Sequence, residues 1–220
     1  MLNQIFTITT FLIPVFAFGL GFLTIINNHS KVAILWFLTS LAVGIWGLGL
    51  AILLIVNTVE QAYFYNIILN TGAALIPIFF FHFVSVLLMK EKQEKTLIII
   101  GYVLAVIFIF LIFNSPWIIG GVGEKTGFTY WIDVGILYVP FIIYFWFYAI
   151  KTIYLLVKGY KTSEGIHKRR IYYILLAGII GYFGGGTNFL PQLFNIYPFG
   201  NFITFLYPIL ITYGIFYPRN

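Results

Sequence analysis

The chain contains no cysteine, so disulfides and thiolate metal sites are excluded. Charge is almost as scarce. Only 8% of residues are charged and 61% are hydrophobic, whereas a soluble domain carries roughly a quarter charged residues. The lipid bilayer is therefore the expected partner and solvent of most of the chain. The first charged residue is Lys31. The amino terminus, MLNQ, has neither the basic n-region nor the small-x-small cleavage site of a secretory signal, and the first apolar segment reads as a retained span. A Ser/His/Asp set, paired carboxylates, a phosphate loop and zinc-ligand spacing are also missing. No catalysis, metal or cofactor is expected.

What is present is apolar length. About 20 apolar residues cross a bilayer as a helix, and seven such runs emerge: 5–26, 32–56, 65–88, 96–113, 134–157, 171–187 and 202–217. None alternates in period two, as the strands of a membrane barrel would. The expected fold class is an all-α membrane protein, a single seven-transmembrane helix bundle over residues 1–220.

The net charge of +6 is a topology signal. With the amino terminus outside and the carboxyl terminus cytoplasmic, every Lys and Arg except Lys125 falls on the inner side, as the positive-inside rule requires. Lys151 lies within span five but can snorkel to the inner surface. Nucleic acid is not an expected partner. Most ion pumps and proton-coupled transporters use intramembrane acids or bases; the only candidate inside a span is His82, either a protonation switch or a neutral ring bonded to a neighbouring carbonyl or tyrosine. Span seven, FITFLYPILITYGIFY, has no lysine for a retinal Schiff base, which excludes a rhodopsin.

Four prolines, Pro14, Pro77, Pro140 and Pro208, lie one each in spans one, three, five and seven. They are hinge candidates, since proline removes a helical hydrogen bond and displaces a carbonyl, although proline is also ordinary in membrane helices. Gly44 and Gly47 in span two, and Ala177, Gly181 and Gly185 in span six, put small residues on one face. Such faces let backbones approach closely, inside the bundle or in a homodimer. The outer loop NSPWIIGGVGEKTGFTYWID carries Trp117, Phe128, Tyr130 and Trp131, which suit either a cap over the bundle or interfacial anchors.

The most unusual stretch is GGGTNFLPQLFNIYPFGN, Gly184 to Asn201, which is uncharged, apolar and rich in helix breakers. Irregular backbone at membrane depth needs protein or a watery cavity to satisfy its amides. The linker Asn188 to Asn201 is therefore expected to fold back over the mouth of the bundle. Its Asn188, Gln192, Asn195 and Asn201 then either line a small-molecule pocket or cap turns. Trp131, Asn70 and His82 complete the candidate ligand set.

From Lys168, the segment KRRIYYILLAGIIGYFGGGTNFLPQLFNIYPFGNFITFLYPILITYGI resembles the end of the N-terminal seven-transmembrane region of bacterial sensor histidine kinases. The resemblance rests on Arg169 or Arg170, the run Gly184 to Gly186, Asn188 to Pro191, and Tyr197 to Gly200. LWFLTSLAVGIWGLG and LIPIFFFHFV are similar to the same family. The resemblance implies a multi-pass protein of the bacterial cell (cytoplasmic) membrane that detects an extracellular or membrane-borne small ligand. It further implies a cytoplasmic kinase or other output module as partner, in the same gene or a separate one. The sequence ends at YPRN without a phosphoacceptor box or ATP-binding motifs, so kinase activity is not expected within it. It reads as a cut-out input domain, a stand-alone form or a truncated gene. Two other readings are a small-solute transporter of the seven-helix class, suggested by the Pro-Gln pair in FLPQLFN, and a non-catalytic membrane assembly subunit using the glycine faces.

Overall fold

The structure is a computed structural model and describes residues 2–216. Tyr217, the last residue of the seventh expected span, and Arg219, the last of the inner basic residues, lie outside the described residues.

Four long helices come first: α1 (Leu2–Asn27), α2 (Lys31–Leu53), α3 (Val59–Leu87) and α4 (Glu91–Asn114). Ser30 and Thr58 cap α2 and α3, their hydroxyls accepting from Ala33 N and Gln61 N at 3.3 Å, the usual way to satisfy first-turn amides. Strands β1 (Ile119–Lys125) and β2 (Phe128–Val134) follow as an antiparallel hairpin. Next come α5 (Tyr138–Thr162) and α6 (Gly165–Ile179), the latter continuing into a π turn over Ile180–Gly184 and a 3₁₀ turn over Thr187–Phe189. Helix α7 (Leu190–Phe194), a 3₁₀ turn over Phe199–Ile203 and α8 (Leu206–Phe216) complete the chain.

Among the described residues, six helices are long and apolar enough to cross a membrane, and α8 is a shorter apolar helix. The protein is a multi-pass membrane protein built as a helical bundle. Several sequence expectations need correction. To the all-α bundle the outer loop adds a hairpin. Val134 ends β2 and the fifth helix starts only at Tyr138. The third helix starts at Val59, six residues before Tyr65, because the Thr58 cap outranks the polar Glu60 and Gln61 as a boundary signal. The path expected to break after Thr187 stays helical to Phe194, since successive turns change pitch instead of stopping.

The molecule has two distinct ends. At one, Asn3 Nδ2 donates to Gly127 O in the hairpin turn at 2.8 Å, and Tyr130 Oη donates to Asn57 O between α2 and α3 at 3.1 Å. At the other, Lys31 pairs with Glu91 at 2.6 Å and Lys151 with Glu94 at 3.2 Å. Glycines set the tightest helix contacts. A Cβ on Gly72 of α3 would lie 2.5 Å from Trp46 N, and one on Gly49 of α2 would lie 2.6 Å from Leu69 N. Backbone-to-backbone approach of this kind is what small residues permit in membrane bundles.

Gly44 and Gly47 serve the neighbouring contact: their absent Cβ atoms make room for Phe18 and Ile13 of α1. Ala177 is fully buried and Gly181 faces the Tyr207 ring of α8. Both small faces are thus used within one chain. The prolines differ among themselves. Pro14 and Pro77 sit inside α1 and α3. Pro140 and Pro208 fall in the first turns of α5 and α8, where the missing N–H has no helical partner to lose. Those two lie at helix starts, and Pro14 and Pro77 lie within long helices.

Candidate functional site

A cavity lies beneath the hairpin, with about 50 Å³ open to the centres of water-sized spheres. A single buried water needs about 10–15 Å³ on that measure. Helices α2 and α3, the π turn, α5, α8 and the hairpin all contribute to its wall. Trp46, Phe145 and Phe189 supply much of the apolar surface, and no charged side chain among the described residues lines it. Apolar walls with a few placed polar groups are the usual build of a small-molecule site.

The local sequence explains how the wall is made. Three consecutive glycines, Gly184 to Gly186, start at the last residue of the π turn. A Cβ on Gly184 would meet Thr204 Oγ1 at 2.6 Å, and one on Gly186 would meet the Trp146 ring at 2.6 Å. Gly185, between them, faces the cavity, and a Cβ there would find its nearest atom, Trp46 Cη2, at 3.6 Å. The glycines let α6 pass close to the 3₁₀ turn before α8 while leaving room on the third side. Single-turn π segments inside α-helices are frequent at functional sites.

Polar groups in the wall are oriented by a chain of hydrogen bonds. Thr10 Oγ1 donates to Phe6 O at 2.7 Å. Its lone pair accepts from Asn201 Nδ2 at 2.8 Å, and Asn201 Oδ1 accepts from Asn188 Nδ2 at 3.0 Å. Asn188 Nδ2 also donates to Gly185 O at 2.9 Å. Both amide hydrogens of Asn188 are thereby used, and its Oδ1 is buried with no hydrogen-bond partner. Tyr207 Oη, also in the cavity wall, is likewise buried and unpartnered. Native interiors rarely leave such groups unmatched.

The lid is held separately. Trp131 Nε1 donates to Gln192 Oε1 at 2.6 Å, and Gln192 Nε2 donates to Tyr138 Oη at 2.7 Å. Indole N–H is a donor only, which fixes the orientation of the Gln192 amide. Phe128 packs at a tilt against Trp131 with centroids 4.5 Å apart, stacks on Tyr197 at 5.3 Å and contacts Phe6 at 5.3 Å. Burial raises the pKa of the Tyr197 phenol, which keeps it protonated and donating to Asn3 Oδ1 at 3.2 Å.

The structure brings Asn188, Gln192 and Trp131 together at the cavity, with Asn201 directly behind Asn188. It places the other candidates elsewhere. Asn195 is left-handed at φ 54° and caps α7, and its Oδ1 accepts from Thr126 N at 2.8 Å. It fastens the hairpin and does not line the cavity. Asn70 is buried in α3 with Nδ2 donating to Asn66 O at 2.9 Å, outside the lining. His82 is at the opposite end, with Nδ1 2.8 Å from Tyr102 Oη and Nε2 3.4 Å from Glu91 Oε1. Sequence reasoning missed Asn66, Tyr138, Tyr182 and Tyr207. The tyrosines look like core or interfacial residues until the fold turns them onto one space.

Comparison with known proteins agrees with this architecture. A family model described as the N-terminal 7TM region of histidine kinase matches residues 9–219. No curated protein and no solved structure matches the chain. The family match covers the membrane region and not a kinase catalytic domain. The chain belongs to the family of N-terminal seven-transmembrane regions of histidine kinases, a membrane signal-sensing input module.

Proposed function

We propose that this input module receives its signal as a small ligand in the cavity beneath the hairpin and passes it along α8 to a cytoplasmic output module. The observation that carries this reading is the buried, unpartnered pair Asn188 Oδ1 and Tyr207 Oη in an uncharged cavity. Orientation follows the positive-inside rule: the hairpin end is outside, and the lysine-rich end meets the kinase. Coupling has a direct physical path. Tyr207 is in the first turn of α8, and its ring occupies the space a Cβ on Gly181 would take, 2.5 Å from Tyr207 Cδ2. Further along α8, Gly214 packs against Arg170 O at the lysine-rich end, where an added Cβ would lie 3.3 Å away. A ligand that displaces the Tyr207 ring therefore moves α8 against α6.

The test joins the full chain to a histidine-kinase catalytic module in lipid vesicles and measures autophosphorylation. Asn188→Ala, Gln192→Ala and Tyr207→Phe should each shift the basal level or its response by about 5-fold or more, the lower end of ordinary allosteric coupling. Unchanged output across all three, with normal insertion, would sink the cavity as the receiving site. The Pro-Gln pair, which suggested a transporter, has a different use here: Pro191 opens α7 and Gln192 clamps the lid.

A further inference from the structure

Resting on the sensing reading above, we infer that the cavity selects a small, uncharged, mostly apolar molecule that carries an O–H or N–H donor. The argument is one of hydrogen-bond polarity. Phe6 O can only accept. Thr10 must therefore spend its proton on that carbonyl and offer a lone pair to Asn201 Nδ2. Asn201 Oδ1 is then an acceptor, which obliges Asn188 to present its NH₂ there and to Gly185 O. The amide of Asn188 cannot flip without breaking both contacts and opposing two acceptors. Asn188 belongs to the cavity wall, and its Oδ1 is left as an acceptor without a partner. Asn188 is only 7% exposed, so bulk water does not answer it. A ligand matching this oxygen must bring a donor.

Two further features narrow the class. No acid or base lines the cavity, and an unpaired charge in such surroundings is strongly disfavoured. Tyr207 Oη is free to donate as well as accept, so a hydroxyl or carboxamide with both functions is served by the wall. The aromatic faces of Trp46, Phe145 and Phe189 fit the apolar remainder.

The experiment uses the full chain in lipid nanodiscs and three radiolabelled probes: phenol, toluene of nearly the same shape, and benzoate. Equilibrium dialysis with empty nanodiscs subtracted reads the affinity. Phenol should bind at least about tenfold more tightly than toluene, because a site built around a polar group rejects the analogue that leaves it unpaired. Benzoate should bind weakest. Asn188→Leu should erase the preference for phenol over toluene. Gly185→Val, which fills the cavity at a position where a Cβ meets nothing closer than 3.6 Å, should abolish binding of both, so any remaining signal is partition into the bilayer. Equal binding of phenol and toluene, tighter benzoate, a preference that survives Asn188→Leu, or no binding at all would overturn the inference. Failure of the broader reading looks different. If phenol binds as expected yet leaves autophosphorylation of the kinase fusion unchanged at saturation, the ligand class stands and sensing through this cavity falls. If the fusion responds to a charged ligand through this cavity, sensing stands and the ligand class falls.

Discussion

Asn188 and Asn201 are thirteen residues apart and equally uncharged, yet they do different jobs. Asn201 is fully buried and satisfied between Thr10 and Asn188, while Asn188, in the cavity wall, keeps one oxygen without a partner. Removing Asn201 takes the donor away from Thr10 Oγ1 and one acceptor away from Asn188 Nδ2, and unmatched buried polar groups cost about 1–3 kcal/mol. Asn201→Ala should therefore lower stability by about that amount, measured as thermal or denaturant unfolding in nanodiscs. Glycines permit a similar contrast. Gly72→Ala forces a methyl to within 2.5 Å of Trp46 N, and overpacking of this kind costs about 1–3 kcal/mol. Gly19 of α1 has no atom within 4 Å of a built Cβ, so Gly19→Ala should be neutral or stabilising. Equal unfolding midpoints for the two glycine variants would contradict the close α2–α3 approach.

At the scale of elements, the hairpin is the part that sequence reasoning left as an undefined aromatic loop. Strand β1 carries three glycines, and a two-stranded hairpin is marginal in isolation. Here it is held at the turn by Asn3 and Asn195 and along β2 by Phe128 and Trp131. Loss of the two turn clamps should loosen the tip while the aromatic face stays docked. The double variant Asn3→Ala, Asn195→Ala should be cut faster by trypsin at Lys125 than the parent, read by mass spectrometry of the fragments. An unaltered rate would mean that the Lys125–Asp133 ion pair at 2.6 Å and the docked strand suffice. Helix α6 shows a second limit of local reading. Its glycine run suggested an end to the helix, but tertiary contacts to Thr204, Gly200 and Trp146 hold it as π and 3₁₀ turns.

For the whole molecule, the decisive pattern is the separation of charge between the two ends. The absence of cysteine makes this directly testable, because any introduced thiol is unique. Glu124 is exposed on the hairpin and Glu164 is exposed at the start of α6 at the other end. In intact cells, a membrane-impermeant maleimide should label Glu124→Cys and spare Glu164→Cys until the membrane is opened. The reverse pattern would invert the proposed orientation and place the cavity mouth toward the cytoplasm.

The amino-acid sequence by itself determined that this protein lives in a bilayer, where its apolar segments lie, and that its lysines gather between particular segments. These are consequences of composition along the chain, and transfer free energies act on each segment separately. It also marked Gly184 to Asn201 as exceptional, because helix breakers without charge have few places to go in a membrane. Only the tertiary structure decided which polar groups meet. Whether an asparagine caps a turn, bridges two partners or keeps an oxygen for a ligand depends on what stands opposite it. For Asn188 the deciding residues, Phe6 and Thr10, lie at the other end of the chain. Hydrogen-bond polarity is passed from neighbour to neighbour in space, and sequence order carries no record of it.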